Sequence, residues 1–254
     1  MYKYIIDCDP GHDDIMAIIT ALANKLNILG FTTVAGNNTL DNVTNNLLKV
    51  LDYLKYDIPV YKGFSKPMLR EAEPQNAHGE TGLDGPILPE PISTSNNISA
   101  IDFYKNALVE NEEISIICLA PLTNIGYLIK KYPYLVCKID TIYLMGGAIC
   151  GGNINKYGEF NIYHDPEAAK IVFESGIKIV MAPLEVCNNG FIYLKEYEVI
   201  NKTNKVSKLV FDLMEFYSRY ARIRNRNKTS IFDLVPVVYI LHPEYFEGFR
   251  AEVI

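Results

Sequence analysis

The features that mark secreted, zinc-stabilised and membrane-spanning proteins are scarce in this sequence. The five cysteines are odd in number, widely spaced and without a Cys-x-x-Cys pair. A disulfide framework and a structural zinc site are therefore not expected, and reduced thiols in the cytoplasm are the default. The acidic Asp7 ends the short apolar stretch near the N-terminus, and no apolar run is long enough to cross a bilayer. We accordingly predict neither a signal peptide nor a membrane span.

The sequence also has no excess of positive charge. The chain has 24 Lys and Arg against 30 Asp and Glu, a net charge of −6. A mildly acidic protein does not attract nucleic acid or anionic lipid by charge alone, so we expect neither as a partner. A local exception is the basic stretch at residues 219–228. It suits either a solvated loop after an amphipathic helix or the mouth of a substrate site, where arginines would bind a phosphorylated ligand.

The chain has 254 residues, of which 49% are hydrophobic, enough for a sizeable buried core. Apolar runs predict strands at residues 4–6, 29–35, 58–61, 114–119, 139–145 and 177–182. Helical periodicity predicts helices at residues 15–22, 43–54 and 206–220, and Asp165-Pro166 and Gly176 are typical of the start and end of another. This alternation predicts an α/β fold, a single domain over residues 1–254 with a mostly parallel central β-sheet flanked by helices.

Four carboxylates crowd the segment between the first predicted strand and the first helix: Asp7, Asp9, Asp13 and Asp14. Ligands of open α/β sheets bind at the carboxyl ends of the strands. Carboxylates this close repel one another and need a cation, hydrogen-bond donors or raised pKa values to coexist. An all-oxygen ligand set favours Ca²⁺ or Mg²⁺ over zinc. Helix capping and solvated loop charge are the ordinary alternative, but four carboxylates at this position favour a functional site.

Two other motifs with clustered aspartates fit the segment poorly. An EF-hand loop would need Glu at the twelfth position counted from Asp7, where the chain has Ile18, and Pro10 breaks its spacing. A haloacid-dehalogenase-type phosphatase also begins with a strand and Asp-x-Asp. That family carries Thr or Val two residues after the second Asp, where this chain has Gly11. A metal-dependent phosphatase with Asp7 or Asp9 as nucleophile stays as a rival that Gly11 disfavours.

The segment from Asp7 to Asp14 resembles the N-terminal signature of the inosine/uridine-preferring nucleoside hydrolases. Further segments resemble later motifs of that family in the same order, and the likeness extends from Tyr4 to about Asp233. These segments are Val34 to Leu40, Asn76 to Pro86, Ala120 to Ile125, Met145 to Ala148, Gly152-Asn153, Glu159 to Ile162 and Asp165 to Ala169. Each match alone is weak, but their shared order and spacing are specific.

The resemblance implies hydrolysis of the N-glycosidic bond of ribonucleosides to ribose and free base, with calcium (Ca²⁺) as cofactor, in a homodimer or homotetramer. It implies metal ligands at Asp9, Asp14, the backbone carbonyl of Leu119 and Asp233. Asp9 would also accept a proton from the attacking water. The substrate-binding positions are Asp13, Asn37, Met145, Asn153, Glu159, Asn161 and Phe232. His78 would face the substrate, either donating a hydrogen bond or proton to the leaving base or contacting the ribose, whereas His12 is expected to be structural.

The sequence departs from the family pattern at three points. Phe232 precedes Asp233 where many members have a His assigned to protonating the leaving base, and Phe cannot donate a proton. The chain has no Trp, which disfavours the purine-specific branch that stacks the base on Trp, and residues 76–86 resemble the pyrimidine-preferring bacterial members. The chain also ends earlier than most members, so the family's C-terminal portion is expected to be missing. These departures leave a second hypothesis, a non-catalytic or weakly active ribosyl-binding relative.

Overall fold

The structure is a computed structural model that describes residues 2–72 and 77–253, so Asn76, which opens one predicted motif, lies outside the described residues. The central sheet has six strands: β1 (Tyr4–Cys8), β2 (Ile28–Thr33), β3 (Val60–Lys62), β4 (Ile114–Cys118), β5 (Ile139–Met145) and β6 (Lys178–Ala182). Their order is β3-β2-β1-β4-β5-β6, and every neighbouring pair is parallel. The predicted single α/β domain with a mostly parallel sheet is confirmed.

Helices connect these strands and cover both faces of the sheet. They are α1 (His12–Ala23), α2 (Leu40–Leu54), α3 (Ala100–Glu110), α4 (Thr123–Lys131), α5 (Phe160–His164), α6 (Pro166–Phe173), α7 (Leu184–Cys187), α8 (Leu194–Glu198), α9 (Lys205–Tyr217), α10 (Arg219–Ile223) and α11 (Leu234–Leu241). Two 3-10 helices, Pro133–Lys138 and Pro243–Tyr245, and an antiparallel pair, β7 (Phe191–Tyr193) with β8 (Lys228–Ser230), are also present. Within the described ranges, no helix has both the length and the apolarity needed to cross a membrane.

The central strands are apolar on both sides because helices bury both faces of the sheet. In β1, Ile6 contacts a cluster that includes residues of α1, α2 and α9, whereas its neighbour Ile5 contacts a second cluster with residues of α3, α4 and α6. Successive strand side chains point to opposite faces, so the two clusters are the two halves of the core. The burial of every residue of β1 and β4 explains why these strands read as continuous apolar runs rather than alternating ones.

The helix predicted for residues 206–220 is two helices in the structure. Helix α9 ends at Tyr217, and Ser218 caps it with its side chain buried against the Tyr197 hydroxyl (2.9 Å). The interpretation of residues 219–228 as a solvated loop is therefore wrong for α10 and for the first residue of β8. A charge interaction explains part of this order, because the Arg222 guanidinium binds the Glu215 carboxylate at 2.6 Å.

The carboxyl ends of the central strands converge on one edge of the sheet. The segment after β1 carries Asp9, the segment after β2 carries Asn37, β4 is followed by Leu119, and β5 ends at Met145. Helix α1 packs against both α9 and α11. Those two packing contacts bring residues from the last quarter of the chain to the same edge, where open parallel sheets bind ligands.

Candidate metal and substrate site

Three buried carboxylates form a compact cluster at this edge of the sheet. Asp13, Asp14 and Asp233 each offer an oxygen within 4.8 Å of the other two. Asp13 and Asp14 lie in the first turn of α1, and Asp233 immediately precedes α11. The packing of α1 on α11 therefore assembles the cluster from two ends of the chain. Asp13 joins this cluster in the structure, whereas the resemblance assigns it to the substrate.

Asp9 lies beside the cluster and is fixed by backbone hydrogen bonds. Its N–H donates to Asp14 Oδ1 (3.2 Å), and its Oδ2 accepts from the N–H of Asn37 (2.6 Å). The Asn37 side chain bridges the two aspartates by donating to the Asp9 carbonyl (3.2 Å) and to Asp14 Oδ2 (3.3 Å). Gly36 allows this approach, because a Cβ there would lie 2.1 Å from Asp9 Oδ2. The close approach explains the glycine in this motif.

The cluster is electrostatically costly without a cation. Burial and, after it, the charge of Asp13 raise the pKa of Asp14 to about 7. Burial first, and then the neighbouring carboxylates, also hold the pKa values of Asp9 and Asp233 well above their usual range. Asp9 Oδ1 and Asp13 Oδ1 are buried and accept no hydrogen bond within the part of the chain that the structure describes. Buried carboxylate oxygens without partners fit a hard divalent cation such as Ca²⁺ or Mg²⁺.

Asp7 lies apart from the cluster, on the sheet side of the turn. Its Oδ1 accepts hydrogen bonds from the hydroxyl of Thr32 and the side chain of Asn124 (2.7 Å). Burial raises the pKa of Asp7 to about 7. Asn124 is in the first turn of α4, and its Oδ1 accepts from the N–H of Phe64. Asp7 therefore ties β1 to β2 and α4 and supports the turn that carries Asp9.

Asn161 links the ends of β4 and β5. Its side-chain amide donates to the carbonyl of Leu119 (3.0 Å) and to the carbonyl of Met145 (3.1 Å). The Glu159 carboxylate caps α5, where it accepts from the N–H of Asn161 (3.0 Å) and of Gly147 (2.9 Å), and it is buried. The four site residues that the resemblance implies in this region thus lie in one hydrogen-bond network: Leu119, Met145, Glu159 and Asn161. Glu159 acts in the structure as a helix cap.

Asn153 lies farther out than the other predicted substrate residues. It is exposed, and its Oδ1 accepts from the N–H of Phe160 (2.9 Å) in the loop before α5. Gly152 packs tightly there, because a Cβ would lie 1.9 Å from the carbonyl oxygen of Gly158. The structure gives Asn153 a loop-closing hydrogen bond and does not bring it into contact with the carboxylate cluster.

A stack of aromatic rings borders the cluster on the side of α9. His78 stacks on His12 at 5.2 Å between ring centroids, and His12 stacks on Phe216 at 4.8 Å. His78 Nε2 is 3.9 Å from Asp13 Oδ1, and its Nδ1 accepts from the backbone N–H of His12 (3.1 Å). Burial lowers the pKa of His12 to about 3 and that of His78 to about 4, so both rings are neutral at neutral pH. His12 packs as expected of a structural residue.

Phe232 and Arg219 contact different groups of residues near the cluster. Phe232 packs against the apolar cluster that contains Met145, Cys187 and Val235, and it directly precedes Asp233 in the chain. The guanidinium of Arg219 lies 3.5 Å from the centroid of the Phe216 ring, and its Nη2 is 3.4 Å from the carbonyl oxygen of Ala77. One arginine of the basic stretch therefore reaches the loop that carries His78.

The sequence missed one contact of this site. The hydroxyl of Tyr217 donates to Asp13 Oδ2 at 3.1 Å, across 204 positions of the chain. No spacing pattern links Tyr217 to Asp13, because the link depends on the packing of α9 against α1.

Comparisons with known proteins agree with this geometry. Residues 4–254 match the family described as inosine-uridine preferring nucleoside hydrolase. The pyrimidine-specific ribonucleoside hydrolase RihA of Escherichia coli O81 (strain ED1a) is 41% identical over 249 residues, 95% of this chain and 80% of that protein.

Two solved structures give the same result. A plant nucleoside hydrolase, the PpNRh1 enzyme, superposes with a TM-score of 0.87 at 31% identity, over 96% of this chain and 79% of its own. The purine-preferring ribonucleoside hydrolase of Gardnerella vaginalis superposes with a TM-score of 0.90 at 29% identity, over 95% of this chain and 80% of its own. The chain belongs to the inosine-uridine preferring nucleoside hydrolase family.

Proposed function

We propose that this protein hydrolyses the N-glycosidic bond of ribonucleosides to ribose and free base with a bound calcium ion. One observation carries the proposal: the buried cluster of Asp13, Asp14 and Asp233 lies beside Asp9 at the carboxyl ends of the strands. Two oxygens there, Asp9 Oδ1 and Asp13 Oδ1, are buried and accept no hydrogen bond from the described residues. A site that binds a cation, a sugar diol and a water needs free oxygens of this kind.

Asp9 is the proposed general base. The N–H of Asn37 holds its Oδ2 at 2.6 Å, which leaves Oδ1 directed away from that bond and able to take a proton from water. When bound, a divalent cation orients the ribose hydroxyls and a water and lowers the pKa of that water. Cleavage of a glycosidic bond gives the sugar oxocarbenium character, and the surrounding carboxylates stabilise the developing positive charge.

The leaving base has a different environment. Phe232 offers an apolar surface beside Met145 and no proton. His78 carries one proton on a neutral ring close to Asp13, and we propose that it faces the substrate and donates a hydrogen bond there. Protonation of the base at this site would therefore differ from that in family members with His before the last aspartate.

The substrate class follows from the relatives and the composition. We propose a preference for pyrimidine ribonucleosides, supported by the 41% identity to an enzyme named as pyrimidine-specific and by the lack of Trp. The expected result is release of uracil from uridine and cytosine from cytidine faster than release of hypoxanthine from inosine. Base release should stop when EDTA is added and return with calcium. Faster cleavage of inosine would contradict the pyrimidine preference alone.

The two rival functions predict other results. A non-catalytic relative would bind ribose in the presence of calcium and release no base from any of the three nucleosides. A phosphatase would release phosphate from p-nitrophenyl phosphate in a magnesium-dependent way. The structure offers it little, because Asp7 Oδ1 is already bound by Thr32 and Asn124. A homo-oligomer and a cytoplasmic location stay predictions of the resemblance and the composition, testable by sedimentation and cell fractionation.

Replacement of Asn161 by Ala should mainly weaken substrate binding. Its amide holds the carbonyls of Leu119 and Met145, so the variant leaves two buried acceptors without their donor. Such a loss costs about 1–3 kcal/mol for each buried group. We expect kcat/KM for uridine to fall about tenfold to about a hundredfold, measured by initial rates of uracil release. Unchanged kcat/KM would show that Asn161 has no part in the site.

A further inference from the structure

We infer that Tyr217 is a positioning residue: its hydroxyl holds one oxygen of Asp13 so that the other oxygen is presented to the sugar. The inference rests on the proposed function, because it takes the ligand of Asp13 to be a ribose hydroxyl. It adds a residue of α9 to a site whose other residues lie at the strand ends, in α1 and directly before α11.

The two oxygens of Asp13 have unequal surroundings. Oδ2 accepts a hydrogen bond from the Tyr217 hydroxyl at 3.1 Å. Oδ1 is buried and accepts no hydrogen bond from the described residues, and the Nε2 atom of the neutral His78 ring is 3.9 Å away. The residue is only 6% exposed. A buried carboxylate with one oxygen bound and one oxygen free is oriented toward a ligand, since a buried acceptor without a partner is costly.

The tyrosine is held firmly enough to orient that carboxylate. It is the last residue of α9, which packs against α1, the helix that carries Asp13. Its ring lies 5.9 Å from the ring of His12 and 5.9 Å from the ring of His78, nearly parallel to both. The next residue, Ser218, is buried and bonded to Tyr197. Ring packing therefore fixes the position of the Tyr217 side chain, and the Tyr217 hydroxyl sets the orientation of the Asp13 carboxylate.

This arrangement separates the role of the ring from the role of the hydroxyl. Tyr217→Phe keeps the ring beside the two histidines. It removes the O–H donor, so Asp13 can rotate and its oxygen no longer meets the sugar in one fixed direction. Hydrogen bonds to an ionised carboxylate are among the stronger ones in proteins. Loss of an interaction that acts on bound substrate and transition state alike raises KM and leaves kcat nearly unchanged.

The test compares the wild type, Tyr217→Phe and Tyr134→Phe, a control in which an exposed tyrosine outside the site loses its hydroxyl. Uridine kinetics should show a KM about tenfold higher in Tyr217→Phe with kcat within about twofold, and no change in the control. Calorimetry in saturating calcium should show ribose affinity about tenfold lower in Tyr217→Phe, with calcium affinity unchanged. Thermal unfolding reports whether each variant folds.

The outcomes separate this inference from the proposed function. If the wild type releases no base, the hydrolase assignment fails, and the ribose affinities still decide the role of Tyr217. Equal ribose affinity in wild type and Tyr217→Phe, ribose binding by neither protein, or a lower calcium affinity instead would overturn the inference. Should Tyr217→Phe fail to fold, a wild-type crystal soaked with calcium and ribose decides the matter. Asp13 Oδ1 must then bind a sugar hydroxyl while Oδ2 stays on Tyr217.

Discussion

Replacement of Asp9 by Ala is expected to abolish nucleobase release. Asp9 Oδ2 is held by the N–H of Asn37, and Asp9 Oδ1 is the buried oxygen left to accept a proton from water. The loss of a general base lowers the rate by about 10²- to 10⁴-fold. Initial rates of uracil release from uridine in saturating calcium measure the effect. The same variant should bind calcium more weakly, because a negative charge next to Asp14 is removed.

A matched control keeps this result from being a general effect of losing an aspartate. Asp57 is exposed in the turn before β3, at the opposite edge of the sheet from the site. Asp57→Ala should keep the activity and the calcium affinity of the wild type. An Asp9→Ala protein that folds, as judged by circular dichroism, and keeps full activity would refute the assigned mechanism.

Neutralising the carboxylate cluster is expected to stabilise the metal-free protein and to remove its response to calcium. Burial raises the pKa of Asp14 to about 7, compared with 3.8 as the ordinary value. The folded state therefore holds this proton more tightly than the unfolded state does. The stabilising contribution of the group is fully present below about pH 4 and is lost as the pH rises through about 7. At neutral pH the metal-free fold carries the cost of the charge.

Asp14→Asn and Asp233→Asn remove that cost. We expect each metal-free variant to unfold about 5 °C above the metal-free wild type at neutral pH, given about 2–4 °C for each kcal/mol in a domain of this size. Calcium should raise the unfolding temperature of the wild type, since a ligand that binds only the folded state stabilises it. It should leave both variants unchanged. Differential scanning calorimetry with EDTA and with calcium measures all of these transitions.

Two results would contradict this account of the cluster. One is a variant that is less stable than the wild type in EDTA, which would mean that the carboxylates are satisfied without a cation. The other is a calcium response that survives in both variants. Asp57→Asn is the matched control, because it removes an exposed carboxylate and should change neither the unfolding temperature nor the calcium response.

The strands and the acidic turn were predictable because their causes are local. Strands covered on both faces must be apolar along their whole length, and the runs at β1 and β4 are buried throughout. The position of Asp9 at the carboxyl end of β1 follows from the parallel sheet that the alternation of elements predicts. The start of α6 was also predictable, since Asp165 caps it by accepting from the N–H of Ala168.

Other features were not predictable because they depend on which helices touch. The resemblance implies that Asp13 binds the substrate, and the packing of α1 on α11 also brings its carboxylate and that of Asp14 within 4.8 Å of Asp233. Glu159 matches a substrate position in the motif, and only the structure shows that its oxygens also cap α5. The end of α9 at Tyr217 depends on the burial of Ser218 against Tyr197, which no periodicity encodes.

The amino-acid sequence alone thus determined the layered α/β architecture, the family and the acidic turn after the first strand. These features depend on backbone sterics, hydrophobic periodicity and short motifs, which act over a few residues. Tertiary packing decided which carboxylates lie together and which of their oxygens have no hydrogen-bond partner among the described residues. It also decided that a tyrosine 204 positions from Asp13 donates a hydrogen bond to it. Those outcomes depend on distances between helices that are far apart in sequence. Such distances are set only when the helices pack on the two faces of the sheet and form the two halves of the core.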